Sequence, residues 1–96
     1  MQTDVIIISE YCEKSHIDPA FILALEEDGL IDIDMVDGQR CLPLSQLRAL
    51  EQYARMHYDL AINIEGIDAI RHLLRRVTDL QEKVSQLQRR LHAYEP

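Results

Sequence analysis

The sequence predicts a mainly α-helical fold, with a small head that contains a β-hairpin and a long C-terminal helix. Three observations lead to this expectation. Asp18-Pro19 is typical of a helix start, and Gly29 is typical of a helix end. The stretch IDIDMVDGQRCLPL has the pattern of a hairpin. Beyond Ile67, apolar residues recur in a heptad pattern, and neither Pro nor Gly occurs before Pro96.

Length and charge limit the classes of function. A 96-residue chain buries only a modest core, so oligomerisation is a natural source of further stability. We divide the chain into a head at residues 1–62 and a C-terminal helix or coiled coil at residues 63–96. Residues 1–38 carry ten acids and one base, whereas residues 39–96 carry nine bases and seven acids. An acidic head therefore precedes a mildly basic tail, and this asymmetry bears on the choice of partner.

The expected compartment is the reducing cytoplasm. Cys12 and Cys41 are too few for a disulfide framework. No signal-peptide pattern is found at the start, and the apolar run from Val5 to Ile8 is far too short to span a bilayer. We therefore expect no membrane partner.

The first half of the head predicts a short strand followed by a helix-turn-helix. The β-branched run at residues 5–8 predicts the strand, and Ser9 is a candidate cap for a first helix that ends near Ser15 and buries Tyr11 and Cys12. Asp18 should cap the second helix, and Gly29 should take the left-handed position at its end. We expect three apolar residues on the buried face of this second helix, with Leu30 packing back onto its last turn: Phe21, Ile22 and Leu25.

The second half of the head predicts a hairpin and a third helix. Ile31, Ile33 and Met35 alternate with acids, and Asp37-Gly38 is the signal for a type I′ turn before a return strand from Arg40 to Leu42. A hairpin directly after a helix-turn-helix is a wing. Ser45 should cap the third helix, and Asn63 the last one. The inner stripe of the third helix should contain four residues: Leu47, Leu50, Ala54 and Tyr58.

The tail has a continuous apolar seam at the a and d positions of the heptad. Its residues are Ile70, Leu73, Val77, Leu80, Val84, Leu87 and Leu91, with Tyr94 at the last d position. Such a helix needs a partner, which could be the head itself, a second copy or a foreign helix. We expect a homodimer, because β-branched residues at a with Leu at d favour two strands. The direction of the strands stays open, since Arg76, Lys83 and Arg90 all fall at g.

Enzyme chemistry finds little support in the sequence. There is no Gly-rich phosphate loop, nucleophile elbow or paired-cysteine motif. Cys12 and His16 stand four apart, but no second Cys/His pair accompanies them, so we expect no metal, no cofactor and no catalytic residue. The other histidines are expected at the surface or in an interface: His57, His72 and His92.

An acidic patch occupies the place where such a unit would meet DNA. The second helix has no base, and the hairpin has only Arg40. DNA binders gain much of their affinity by neutralising phosphates with Lys and Arg, so this arrangement argues against direct nucleic-acid binding. The patch is either a solvated acidic surface or a site for a partner protein, and the partner-binding interpretation uses five residues: Glu26, Glu27, Asp28, Asp32 and Asp34.

The order of elements from Ser9 to about Leu91 resembles the MerR-type winged helix-turn-helix. In MerR regulators the second helix typically reads Arg-Tyr-Tyr-Glu-Arg-Glu-Gly-Leu. Glu26, Gly29 and Leu30 match that motif. Four residues replace its first Arg, both Tyr and its second Arg: Leu23, Ala24, Leu25 and Glu27. The scaffold matches, while the DNA-contacting residues are missing.

One branch of that superfamily is more similar: the chaperone-modulatory protein CbpM family. The likeness lies in the length, the acidic head, the helix end EEDGL, the helix start EGIDAI and the Leu-rich C-terminal coil. The resemblance implies binding to the J-domain of the DnaJ-like co-chaperone CbpA, and inhibition of its co-chaperone activity toward DnaK. The alternative function is that of a MerR-like transcriptional regulator or DNA-binding adaptor.

Overall fold

The computed structural model describes residues 4–94 of the chain. Within this range the fold is mainly helical, with four α-helices and a small antiparallel sheet, so the predicted fold class is confirmed. The outermost residues of the two predicted regions, 1–3 and 95–96, lie outside the described residues. The elements are β1 (Val5–Ile7), α1 (Ile8–Ser15), α2 (Pro19–Glu27), β2 (Asp34–Val36), β3 (Gln39–Pro43), a 3₁₀ turn (Leu44–Gln46), α3 (Leu47–Tyr58) and α4 (Ile64–Ala93).

The sheet contains one strand more than the predicted wing. Its order is β1-β3-β2, and both pairings are antiparallel. The hairpin turn is confirmed, since Asp37 and Gly38 have φ values of 51° and 78°. β1 pairs with the edge of β3 that faces away from β2, with Ile6 opposite Leu42. The wing is therefore anchored to the segment that leads into α1.

Two of the four predicted helix caps are confirmed. The Asp18 side chain accepts a hydrogen bond from the Ala20 amide at 2.9 Å, with Pro19 at the first helical position. The Asn63 side chain accepts one from the Gly66 amide at 2.8 Å. In both cases a short polar side chain satisfies one of the free amides in the first turn of a helix.

The predicted caps at Ser9 and Ser45 are wrong. α1 begins at Ile8 directly after β1, so Ile7 is the cap residue and Ser9 lies inside the helix. Ser45 lies inside the 3₁₀ turn that precedes α3, and Gln46 is the cap residue there, without a side-chain capping bond. At both places the chain enters the helix from another ordered element rather than from a loop.

The end of α2 has the predicted geometry. Gly29 has a φ of 74°, and its amide donates to the Glu26 carbonyl at 3.0 Å. The Leu30 amide donates to the Leu25 carbonyl at 2.9 Å, and the Leu30 side chain is buried. These two bonds make a Schellman motif, which turns the chain back toward the core.

The core of the head draws on four elements. Side chains with no exposed surface come from α2, β3, α3 and α4: Ile22, Leu25, Leu42, Leu50 and Ile67. The predicted face of α2 is confirmed, since Phe21 is also buried. α3 differs from its predicted stripe, because Tyr53 is buried whereas Tyr58 is exposed.

α4 belongs to the head at its start and projects away from it afterwards. Ile67 is fully buried, while the seam side chains beyond Ile70 are exposed. The 30 residues of α4 span about 45 Å, and the molecule is 62 Å in its longest dimension. Among the described residues, no helix is both long enough and apolar enough to cross a membrane.

The burial of Ile67 predicts that the start of α4 unfolds together with the head. Ile67→Ala should lower the free energy of unfolding by about 2–5 kcal/mol, as expected for a fully buried aliphatic side chain. Leu60→Ala removes the same number of carbon atoms from a side chain that is 67% exposed, and it should change stability by less than about 0.5 kcal/mol. Urea unfolding followed by circular dichroism measures both. Equal effects would contradict a core that includes α4.

Candidate functional site

An aromatic cluster fixes the orientation of α2 against the end of α3. The rings of Phe21 and His57 stack with centroids 4.5 Å apart, and Tyr58 contacts both rings edge-on. A ring nitrogen of His57, Nδ1, lies 3.0 Å from the Ile62 carbonyl oxygen. The Tyr58 hydroxyl accepts a hydrogen bond from the Asp18 amide at 3.0 Å. Both ends of this cluster are tied to backbone groups, so α2 is held firmly from its first turn.

Three consecutive acids, Glu26, Glu27 and Asp28, lie at the C-terminal end of α2. Glu27 and Asp28 are exposed, and Glu26 is half-buried. The last turn of this helix has no base. Carboxylates at this end face the negative pole of the helix dipole, which costs a few tenths of a kcal/mol for each exposed group at about one turn's distance. Local helix stability therefore does not explain why acids stand here.

Arg40 joins the wing to this acidic end. Its guanidinium donates to the Glu26 carboxylate at 2.5 Å, across the gap between β3 and α2. Both side chains keep substantial contact with solvent, so the ion pair adds no more than about 1 kcal/mol to stability. The ion pair matters more for the charge of this surface than for the stability of the fold. Arg40 is the one base of the hairpin, and it is already paired with a carboxylate.

The other two acids of the predicted patch have different surroundings. Asp32 precedes β2, whereas Asp34 is the first residue of that strand. Both backbone groups of Asp32 are bound by the Gln46 side chain, at 2.8 Å and 3.2 Å, and its carboxylate is exposed. Asp34 lies opposite Cys41, whereas Arg40 lies opposite Met35.

The strand register therefore divides the patch into two parts. Directly opposed residues of an antiparallel pair project from the same face, and neighbours along a strand project from opposite faces. Asp34 thus projects from the face opposite Arg40 and its partner Glu26. Three consecutive acids, Glu26, Glu27 and Asp28, stand at the end of α2, and the strand register separates Asp34 from Glu26. We call these three consecutive acids the α2 acidic end.

The thiol and histidine candidates show structural roles. Cys12 is buried, and this burial, with a smaller contribution from the Asp18 charge, raises the pKa of its thiol. A protonated thiol is a poor nucleophile and a poor metal ligand. Burial also raises the pKa of Tyr11. Residues 4–94 contain no group of three or more potential metal ligands. His57, which was expected at the surface or in an interface, is half-buried in the aromatic cluster.

The seam of α4 does not fold back on the head in this structure. Ile70 is half-buried near the head, and the seam residues further along are all exposed: Leu73, Val77, Leu80, Val84, Leu87 and Leu91. Their exposed fractions lie between 47% and 62%. A continuous apolar stripe of this length, left in water, is typical of a helix that packs against another chain. Of the three partners considered for the seam, the head does not cover it in this structure, and a second copy and a foreign helix stay predictions.

The sequence did not lead us to predict several of the inward-facing residues at α3. Gln46, which lies just before α3, shares an inward-facing side with Leu50, Tyr53 and His57 of α3. Two of these four residues are polar, and a search for apolar residues at helical spacing does not include them. Their spacing of three to four residues was the available signal, because it repeats the helical period through Leu50.

The head is thus a helix-turn-helix with a hairpin wing, the class of domain that many transcription regulators use. The family model described as MerR HTH family regulatory protein matches residues 6–89. The chain belongs to this family. No curated protein and no solved structure shows significant similarity to it.

Proposed function

We propose that this protein is a chaperone modulator of the CbpM type. It binds the J-domain of a DnaJ-like co-chaperone, CbpA, and inhibits the activity of that co-chaperone toward DnaK. One observation carries the proposal. The face that would meet DNA in this class of domain has the α2 acidic end, no base on α2, and a single wing base that is paired with Glu26. A surface of this charge selects a basic partner rather than a phosphate backbone.

The proposed mechanism is competition for one basic helix. J-domains carry a basic helix that engages DnaK. The α2 acidic end would neutralise that helix, and a bound J-domain could then no longer present it to DnaK. Glu27 and Asp28 are the two carboxylates of the α2 acidic end that are exposed, so they supply most of the attraction. We place the interaction in the cytoplasm, because two free cysteines suit a reducing compartment.

The first prediction concerns nucleic acid. Binding to duplex DNA should be undetectable at physiological salt, because phosphates near α2 would meet carboxylates with no base on that helix to offset them. Fluorescence anisotropy with a pool of random-sequence duplexes measures this. Sub-micromolar binding to any duplex would instead support a MerR-like transcriptional regulator or DNA-binding adaptor.

The second prediction concerns the J-domain. Glu27→Lys combined with Asp28→Lys should abolish binding to the purified CbpA-type J-domain and release DnaK ATPase stimulation from inhibition. The melting temperature should stay nearly unchanged, because both carboxylates are exposed and contribute little to folding. Affinity of the unmodified protein should also fall as salt rises, with screening over about 8 Å at physiological ionic strength. Calorimetric titration gives the affinities.

A matched control for this pair is Glu65→Lys combined with Asp79→Lys. Both residues are exposed on α4, and the control changes the net charge by the same amount. It should therefore keep most of the J-domain affinity. Equal loss in both double variants would show that net charge alone drives the association. Unaltered affinity in the first variant would place the binding site elsewhere, on the basic flank of the seam at Arg76, Lys83 and Arg90.

The third prediction concerns assembly. The proposed unit is a homodimer that pairs two α4 seams, because burying each aliphatic seam residue is worth about 1.5–3 kcal/mol before ordering costs. Leu80→Asp combined with Leu87→Asp should give a monomer by light scattering, while the helical signal of the head is kept. Arg75→Asp combined with Glu82→Asp alters exposed positions off the seam and should leave the dimer intact. An unmodified protein that is already monomeric would contradict the proposal.

A further inference from the structure

A groove with a volume of about 540 Å³ lies beside the α2 acidic end. Its walls are the junction of β1 and α1, the first half of α2 and the hairpin turn. The lining is mainly apolar, and six residues matter for the argument: Ile7, Ile8, Pro19, Ala20, Leu23 and Arg40. The groove is open to solvent at Leu23, whose side chain is 42% exposed. It therefore lies on the surface rather than inside the core.

The groove and the α2 acidic end are parts of one surface of α2. Residues three and four apart on a helix are neighbours on the same face. Ala20 and Leu23 line the groove, and Glu26 and Glu27 follow Leu23 at these spacings. Arg40 closes the groove from the wing side, and its ion pair with Glu26 marks the boundary between the apolar and the acidic parts. Along a single helix, an apolar floor thus passes into the ion-paired Glu26 and then the exposed carboxylate of Glu27.

We infer that this groove receives the aliphatic side chains of a basic amphipathic helix, whose cationic residues lie against Glu27. The charge of the neighbouring carboxylates selects cationic flanks, and the apolar floor selects an aliphatic ridge between them. For the identity of the partner the inference rests on the proposed function, in which the helix belongs to the J-domain. It goes further in assigning the apolar part of the contact to Leu23 and its neighbours.

A substitution at Leu23 separates apolar contact from charge. Leu23→Asp places an acid in the groove, so attraction to a cationic helix would increase if charge alone mattered. We expect the reverse, a loss of affinity for the purified CbpA-type J-domain of roughly tenfold or more, because a buried leucine contact disappears. Leu60→Asp is the control, since it adds the same charge at a side chain that is 67% exposed and does not line the groove. It should bind as the unmodified protein does.

A second probe distinguishes failure of the inference from failure of the proposed function. The probe is a synthetic helical peptide of Leu and Lys with one apolar face, compared with a peptide of the same composition whose order destroys that face. If the J-domain does not bind but the amphipathic peptide does, and Leu23→Asp weakens that binding, then the groove inference stands and the J-domain proposal fails. If the J-domain binds with unchanged affinity to Leu23→Asp, the groove inference fails and the J-domain proposal stands.

Methyl NMR of the unmodified protein tests the inference without any variant. Addition of the J-domain or the amphipathic peptide should shift the methyl signals of Ile7, Ile8 and Leu23, and leave that of Leu60 in place. Unshifted groove methyls in a saturated complex would overturn the inference. Groove shifts that appear on concentrating the protein alone would also overturn it, because the occupant would then be a second copy of this chain.

Discussion

Five side chains with no exposed surface meet at the centre of the head, and every other feature is arranged around them. They come from α2, β3, α3 and α4: Ile22, Leu25, Leu42, Leu50 and Ile67. A chain of this length cannot bury a second core, so these elements must share one. Because these elements share one core, apolar packing sets the distance between the wing and α2. The Arg40–Glu26 ion pair and the Gln46–Asp32 bonds adjust an arrangement that apolar burial has already set.

The α2 acidic end, which we propose as a binding surface, lies on a helix that is held at both of its ends. α2 is fixed at its start by the Asp18 cap and the Tyr58 hydroxyl, and at its end by the Schellman motif through Gly29. Its outward face then carries acids at the end where the dipole favours bases. Acids at the C-terminal end of a helix reduce its local stability slightly. Binding sites in other proteins also contain residues that lower local stability.

Sequence reasoning succeeded where the determinants are local. Asp18-Pro19, Gly29, Asn63 and the Asp37-Gly38 turn each act within a few residues, and each has the predicted geometry. Both failed caps lie where a helix follows another ordered element, and that continuity depends on pairing between distant segments. The addition of β1 to the wing is also non-local, since it joins residues nearly forty positions apart.

The candidate site was predicted in part for the same reason. Composition placed a run of acids at the end of α2, and the structure places them there. The separation of Asp34 from the α2 acidic end depends on the strand register. The alternating pattern in the sequence starts at Ile31, but β2 starts only at Asp34, so the pattern could not define that register. The polar residues Gln46, just before α3, and His57, within α3, occupy inward positions because backbone groups of other segments satisfy them.

The unbroken course of α4 has a mechanical consequence. Its first turn is embedded in the head through Ile67, and no Pro or Gly interrupts it afterwards as far as Tyr94. A helix built in this way acts as a lever arm. A tilt of roughly 5° at its base displaces the far end of a helix of about 45 Å by roughly 4 Å, about three-quarters of the rise of one helical turn. Small repacking around Ile67 is thereby magnified at Leu91, so the geometry of the head and that of the distal coil cannot vary independently.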